Sequence, residues 1–236
     1  MRRVLRSLRC WVAAWLAFLV GAPPILALLF LAPPARIHPL VRRWCRLVLR
    51  AAGIRVRVLG GFPSLDERPY LIVASHVNVF DPIVLGAVLP RHVAGVELET
   101  HFRWPLYGWL IRRLRHIPLS HESPYRSRRH IEEAERRLRG GESLVILPEG
   151  RRTRTGRRGE FGGWAFRLAA RTGTRVVPLA FVGAYERHRT TSWHIDPGIW
   201  EVHVLPAIAP EGPDHSAAAA LKASVERAVD AIEAVR

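Results

Sequence analysis

Two residues able to take part in proton transfer, His76 and Asp81, stand five positions apart, just after a short apolar run at residues 70–74. A histidine held by a carboxylate can act as a general base, because the carboxylate fixes its tautomer and stabilises the imidazolium that forms. No GxSxG serine elbow accompanies the pair, so we expect the base to activate a hydroxyl group of a substrate. The competing interpretation is structural. An Asp before Pro82 is commonly a helix cap, and a histidine after a strand is commonly a polar loop residue.

A second polar stretch, PEGRRT at residues 148–153, follows another apolar run at residues 143–147. It brings together Glu149, Gly150, Arg151 and Arg152. Guanidinium groups can grip a phosphate at two points, so this glycine-bearing loop suits a phosphate site in a polar pocket. A solvated run of charges is the alternative when the loop is considered alone.

The two stretches together resemble the glycerophospholipid acyltransferases, over about residues 54–210. The HxxxxD pattern of that family falls on His76 and Asp81. Its Pro-Glu-Gly signature falls on Pro148, Glu149 and Gly150, with Arg152 in the place of the arginine that follows. A Val-Pro pair at residues 177–178 and an upstream membrane segment also agree with the family.

The resemblance implies transfer of a fatty acyl chain from acyl-CoA or acyl carrier protein, as co-substrate, to a free hydroxyl of a lysophospholipid. The expected acceptor is 1-acylglycerol-3-phosphate, and no cofactor or metal is implied. His76 and Asp81 are the candidate catalytic residues, with His76 as the base and Asp81 orienting it. Glu149, Gly150 and Arg152 would position the acceptor, with Arg152 on its phosphate.

Some positions depart from the family pattern. Ser75 stands where an asparagine often precedes the histidine, and Gly162 stands in place of a lysine. Arg151 replaces a small hydroxylated residue, and His121 occupies the place of a phosphate-binding arginine. We therefore include Arg151 among the candidate substrate-binding residues, because it can compensate for that loss. The alternative is a different acceptor, such as a lyso-aminolipid.

The chain is strongly basic, with a net charge of +16 and Lys222 as its only lysine. Such a balance fits nucleic acid, an anionic membrane surface or a phosphorylated substrate. The arginines are spread over many elements without a nucleic-acid-binding motif, so we expect a lipid surface and no nucleic acid as the partner. A non-catalytic peripheral membrane protein would not need both motifs. Nothing in the sequence indicates an oligomeric state.

The N-terminal region carries a signal of membrane length, since no charged residue occurs at residues 10–35. At about 1.5 Å per residue this stretch is long enough for a hydrocarbon core of roughly 30 Å. Arginines flank it on both sides, which places both ends in the cytoplasm by the positive-inside rule. We predict a helical hairpin in one leaflet, kinked at Pro23 and Pro24, on the cytoplasmic face of the inner or plasma membrane. One kinked span and a cleaved signal peptide are the alternatives.

Apolar runs and helical patterns alternate through the rest of the chain, which predicts an α/β fold: a mixed, largely parallel sheet flanked by helices. Residues 1–52 form the predicted membrane-associated helical segment, and residues 53–236 the acyltransferase domain. The strand predicted at residues 176–182 is expected to break at Pro178. Four aromatic residues are expected to line an acyl-chain groove, to lie at the membrane interface or to pack in the core: Phe102, Trp104, Tyr107 and Trp109.

Overall fold

The computed structural model describes residues 1–65, 67–120 and 124–234, and a seven-stranded sheet organises its fold. The strands are β1 (Ile54–Leu59), β2 (Tyr70–Ala74), β3 (Ala94–Leu98), β4 (Ile117–Leu119), β5 (Leu144–Ile146), β6 (Arg175–Val182) and β7 (Gly198–Val204). Their spatial order is β1-β7-β6-β2-β5-β3-β4. The β6–β7 pair is antiparallel, and the other neighbouring pairs are parallel. The predicted mixed, largely parallel sheet is confirmed.

Helices cover both faces of this sheet. They are α1 (Arg2–Leu31), α2 (Pro34–Ala51), α3 (Asp81–Val88), α4 (Tyr107–Arg113), α5 (Pro124–Arg139), α6 (Gly163–Thr172), α7 (Ala184–Arg187) and α8 (His215–Glu233), with a 3-10 turn at Glu99–Arg103. One hydrophobic core joins α1, α2 and α3 to the sheet. A second core on the opposite face joins α6 and α8 to it.

Strand β2 lies in the middle of the sheet, between β5 and β6. Its side chains alternate between the two cores, with Ile72 and Ala74 in one and Leu71 and Val73 in the other. A strand buried on both faces needs apolar residues at every position, which is why residues 70–74 form a continuous apolar run. Because the buried strand ends at Ala74, the chain leaves the sheet just before His76.

The N-terminal region is a helical hairpin whose turn differs from the predicted one. Helix α1 continues through Pro23 and Pro24, and the chain reverses at Ala32 and Pro33. Both proline rings are exposed, whereas residues before and after them are buried against the protein. Each proline removes only one backbone donor, so this packing is sufficient to keep the helix continuous. Placing the kink of the hairpin at Pro23 and Pro24 was therefore wrong.

Helix α2 packs along α1 through Trp44. The Trp44 Nε1 group donates a hydrogen bond of 3.0 Å to the carbonyl oxygen of Ala17, and the Trp44 ring lies 5.2 Å from that of Phe18. Because α1 and α2 share a core with the sheet, the helices before residue 53 are packed onto the rest of the chain. The division at residues 52 and 53 stays a prediction.

The side of α1 that faces away from the protein is apolar. By length and composition, α1 could cross a membrane. A contiguous apolar surface of this kind is costly in water and is typical of contact with lipid. Its large exposed residues are Val4, Leu5, Leu8, Val12, Trp15, Leu16, Leu19, Val20, Phe30 and Leu31.

The break predicted at Pro178 was wrong, because β6 is continuous. The carbonyl oxygen of Pro178 accepts a hydrogen bond of 3.0 Å from the Leu205 amide, on the β7 side of the strand. The amide and carbonyl of one residue point to the same side of a strand. The missing N–H of Pro178 therefore faces the end of β7 and removes no hydrogen bond to β2.

Candidate active site

The predicted pair, His76 and Asp81, is brought together by the turn that follows β2. His76 Nδ1 donates a hydrogen bond of 2.7 Å to Asp81 Oδ2. The Asp81 side chain is 1% exposed and that of His76 is 22% exposed. A buried carboxylate thus holds one ring nitrogen, while the imidazole remains accessible to a substrate. This is the arrangement that a general base requires.

The Asp81 carboxylate also organises the loop that precedes it. Oδ2 accepts hydrogen bonds from the amides of Val77 and Asn78, at 2.6 and 2.9 Å. Asp81 is the first residue of α3 and makes no side-chain cap for that helix, so the capping interpretation was wrong. Burial raises the pKa of Asp81, although the hydrogen bonds from His76 and the two amides oppose this effect.

The PEGRRT loop lies beside His76 because β5 is the parallel neighbour of β2. Glu149 Oε1 accepts a hydrogen bond of 2.7 Å from the His76 amide, and Oε2 accepts one of 2.6 Å from the Gly159 amide. The Thr153 amide donates to the carbonyl oxygen of His76 at 2.9 Å. Burial raises the pKa of Glu149 to about 7, against the lowering effect of the two amides. Gly150 has a φ of +67°, a conformation that favours glycine.

The two arginines of the PEGRRT loop differ in their surroundings from Arg158, which follows that loop. Arg151 and Arg152 are exposed and form no ion pair or hydrogen bond through their side chains with the described residues. Arg158, in contrast, is bound to Glu226 at 3.1 Å and to Asp230 at 2.7 Å. Arg151 and Arg152 are thus available to an anionic ligand, and their role in binding stays a prediction, whereas Arg158 holds the chain just after this loop onto α8.

Residues 184–196, which we call the bridging segment, connect the two loops and were not recognised from the sequence. Asn78 Nδ2 donates to the carbonyl oxygens of Ala184 and His188, at 3.3 and 3.4 Å. Thr190 Oγ1 donates to the carbonyl oxygen of Thr153 at 2.6 Å. These contacts use backbone acceptors, so no residue pattern marks them. The only feature of the sequence that could have indicated these contacts is the position of Asn78 between the histidine and the aspartate of HxxxxD.

The bridging segment also contacts α1. Trp11 Nε1 donates a hydrogen bond of 2.6 Å to the carbonyl oxygen of Trp193. The Trp11 ring stacks on Phe80 at 5.4 Å and meets the His188 ring edge-on at 5.4 Å. Since Phe80 immediately precedes Asp81, the apolar N-terminal helix directly contacts the loop that carries the candidate base.

A mainly apolar cavity of about 100 Å³ lies against α3 and is bordered by α2, α4 and the sheet. Its lining includes Phe18, Trp44, Ile83, Gly86, Tyr107 and Leu147. Of the four aromatic residues expected to line an acyl-chain groove, Tyr107 alone lines this cavity. Phe102 is buried, while Trp104 and Trp109 are 53% and 58% exposed. The two tryptophans therefore fit the membrane-interface alternative.

The positions that depart from the family pattern have different surroundings. His121 lies outside the described residues. The Ser75 hydroxyl is buried and has no hydrogen-bond partner among the described residues. Gly162 donates its amide to the carbonyl oxygen of Pro148 at 2.9 Å, and a Cβ at this position would lie 2.8 Å from the same oxygen. This close approach explains why position 162 is a glycine and not a residue with a side chain.

The chain thus combines a largely parallel α/β sheet with a His–Asp pair just after the carboxyl end of β2. A model of the family described as Acyltransferase matches residues 54–182, and the chain belongs to that family. The site roles of individual residues stay predictions. Among the residues that the structure describes, no group of three or more His, Cys, Asp or Glu side chains could hold a metal ion.

Relatives with established names agree with this family. The chain is 27% identical to the 1-acyl-sn-glycerol-3-phosphate acyltransferase of Pseudomonas aeruginosa, over 84% of this chain and 79% of the relative. It is 30% identical to the lyso-ornithine lipid O-acyltransferase of the same organism, over 76% of this chain and 68% of the relative. Together with the apolar α1 helix, these relatives indicate association with a membrane.

The fold also matches a solved structure, the 1-acyl-sn-glycerophosphate acyltransferase PlsC of Thermotoga maritima. The TM-score is 0.82 at 22% identity, and the match covers 98% of this chain and 95% of that one. The likeness therefore extends beyond the sheet to almost the whole chain.

Proposed function

We propose that the protein transfers a fatty acyl chain from an acyl thioester, either acyl-CoA or acyl carrier protein, to the free hydroxyl of 1-acylglycerol-3-phosphate, giving phosphatidic acid. The observation that carries the proposal is the 2.7 Å hydrogen bond between a partly exposed His76 and a buried Asp81. The name of the Pseudomonas aeruginosa relative supports the choice of acceptor.

In this reaction His76 Nε2 takes the proton of the acceptor hydroxyl while its oxygen bonds to the thioester carbonyl carbon. Asp81 stabilises the imidazolium that results. The tetrahedral intermediate then collapses, the carbon–sulfur bond breaks, and the leaving thiolate receives the proton from His76. The proposed reaction needs no cofactor or metal, because the thioester is already activated.

Further features of the structure agree with the proposed substrates. Arg151 and Arg152 are exposed beside the base and can bind the acceptor phosphate at two points. The mainly apolar cavity against α3 could hold part of an acyl chain. The exposed face of α1 would hold the protein at a lipid surface, where the lysophospholipid acceptor is found. Arginines on both sides of the apolar stretch support the cytoplasmic face.

A second candidate acceptor is lyso-ornithine lipid. It is favoured by the relative of that name, which is 30% identical over 76% of this chain. The same base and thioester chemistry would serve, because this reaction also acylates a hydroxyl. The two candidates differ in whether the acceptor presents a phosphate to Arg151 and Arg152.

The test offers labelled acyl-CoA to membranes that contain the protein, with lysophosphatidic acid, lyso-ornithine lipid or lysophosphatidylcholine as acceptor. We expect phosphatidic acid as the main product and release of one free thiol for each ester formed. His76→Ala should abolish the reaction, whereas His215→Ala, at an exposed position on α8, should not. Faster acylation of lyso-ornithine lipid would favour the second candidate, and retained activity in His76→Ala would reject the proposed base.

A further inference from the structure

Each oxygen of the Glu149 carboxylate is hydrogen-bonded to the backbone of the protein. Its two oxygens accept hydrogen bonds from the amides of His76 and Gly159, at 2.7 and 2.6 Å. Both bonds are at the short end of the range for an N–H donor and an oxygen acceptor. Each oxygen therefore has one acceptor position occupied by a backbone amide before any substrate arrives.

His76 is held by the PEGRRT loop at both of its peptide groups. Its amide donates to Glu149, and its carbonyl oxygen accepts from the Thr153 amide at 2.9 Å. Asp81 holds the imidazole from the other side, at 2.7 Å. The backbone and the side chain of the base are thus fixed by separate contacts, the first from the PEGRRT loop and the second from the start of α3.

We propose that Glu149 is a positioning residue that holds the backbone of His76 in the geometry for proton transfer, and that it does not bind the acyl acceptor. This proposal rests on the proposed function, since it concerns the base of that reaction. It differs from the role that the family resemblance implies for Glu149. A displacement of about 1 Å can cost a reaction on the order of 100-fold in rate, so a bond to the backbone of the base can matter as much as a bond to the substrate.

Gly159 provides the opposite end of the same link. A Cβ at this position would lie 3.0 Å from Glu149 Oε2, so the close approach of the carboxylate leaves little room for a side chain. The bond to Gly159 closes the loop from residue 149 to residue 159 and turns Oε1 towards His76. Gly159→Ala therefore tests the link without changing the carboxylate.

The test compares steady-state kinetics of Glu149→Ala, Glu149→Gln and Gly159→Ala with those of Arg152→Gln, using lysophosphatidic acid and acyl-CoA. For Glu149→Ala we expect kcat to fall by about 100-fold and the KM of the acceptor to change by less than about threefold. Glu149→Gln should lose about tenfold in kcat, because its amide oxygen can still accept from His76 while its NH2 group opposes the Gly159 amide. Arg152→Gln should instead raise the KM of the acceptor.

The pattern of these constants decides between positioning and binding. A rise of tenfold or more in acceptor KM for Glu149→Gln, with kcat retained, would overturn the proposal. An unchanged kcat in Glu149→Ala would overturn it equally. If Glu149→Ala does not fold, Gly159→Ala must show a lower kcat at unchanged KM for the proposal to stand.

A second readout is the amide NMR signal of His76 in detergent micelles, which reports on its hydrogen bond to Glu149. We expect this signal to shift in Glu149→Gln, and an unchanged signal would contradict the link. Failure of the proposed function is distinct, because the unaltered protein would then acylate no lysophospholipid while the His76 amide still responded to Glu149→Gln.

Discussion

Trp11 of the N-terminal helix stacks on Phe80, the residue immediately before Asp81, with ring centroids 5.4 Å apart. The apolar helix is therefore part of the surroundings of the candidate base as well as a lipid-facing element. The two roles lie on different sides of α1, and single substitutions can separate them.

Trp11→Ala should lower the activity of membrane-bound protein by about tenfold, because it removes the support behind Phe80 and the hydrogen bond to Trp193. Trp15→Ala is the matched control, since Trp15 is 56% exposed on the lipid-facing side. We expect it to weaken binding to vesicles and to leave kcat of the bound protein unchanged. Vesicle flotation followed by an activity assay of the bound fraction measures both effects. The reverse pattern would contradict this division of roles.

Asp81→Asn should reduce kcat by about 1,000-fold or more, because a neutral side chain cannot stabilise the imidazolium. The NH2 group of the asparagine would also be a donor, like the backbone amides of Val77 and Asn78 that now donate to the carboxylate. The control is Asp214→Asn, which retains an oxygen able to cap α8 at an exposed position. Its activity should stay within about twofold of the unaltered protein. Activity of Asp81→Asn within tenfold of normal would show that the carboxylate is dispensable.

Arg151→Gln and Arg152→Gln should each raise the KM of lysophosphatidic acid by about tenfold, since each removes a charged ligand for the phosphate. Arg158→Gln is the comparison, at a position shortly after the same loop. It loses its ion pairs with Glu226 and Asp230, so it should lower the melting temperature and leave the acceptor KM close to normal. Steady-state kinetics and thermal denaturation of the three variants measure these effects. Equal KM values in all three would rule out a phosphate site at residues 151 and 152.

Glu149→Gln should change how stability depends on pH. Burial raises the pKa of Glu149 from its ordinary 4.5 to about 7, so the folded protein binds this proton more tightly than the unfolded chain does. The resulting stabilisation is complete below pH 4.5 and is lost as the pH rises to about 7. One pKa unit corresponds to about 1.4 kcal/mol, so the rise from 4.5 to about 7 corresponds to a loss of at most about 3.5 kcal/mol.

The measurement is the free energy of unfolding of both proteins in denaturant, at several pH values between 4.5 and 8. The unaltered protein should lose stability relative to Glu149→Gln over this range, since the glutamine has no proton to release. Parallel profiles for the two proteins would show that the carboxylate titrates normally.

Ile83→Phe should shift the preference for acyl donors towards shorter chains, because Ile83 lines the cavity against α3 and a larger ring reduces its volume of about 100 Å³. Trp109→Ala is the control, as Trp109 is 58% exposed and lies outside the cavity lining. Competition between acyl-CoA donors of different length measures the preference. An equal shift in both variants would place the chain-length limit elsewhere.

The elements that carry the site could be predicted because local residue pattern determines them. A strand buried on both faces needs an apolar run, and this placed His76 and Glu149 at strand ends correctly. The turn of the N-terminal hairpin could not be predicted, since burial beside Pro23 and Pro24 outweighs the tendency of proline to end a helix. The bonds of Asn78 and Glu149 also escaped prediction. Both residues bind backbone groups of distant loops, and any polar side chain of suitable length has that capacity.

Helix α1 contacts the protein on one side and is exposed on the other. The two sides should therefore differ in which substitutions they tolerate. Ser7, Cys10 and Ala14 face the protein and are buried, so larger residues there would push the helix away from the base. Positions such as Leu8, Val12 and Leu19 are exposed and need only remain apolar. A library covering all single substitutions in α1, selected for activity, should therefore recover a helical period of intolerant positions rather than a uniform hydrophobic anchor.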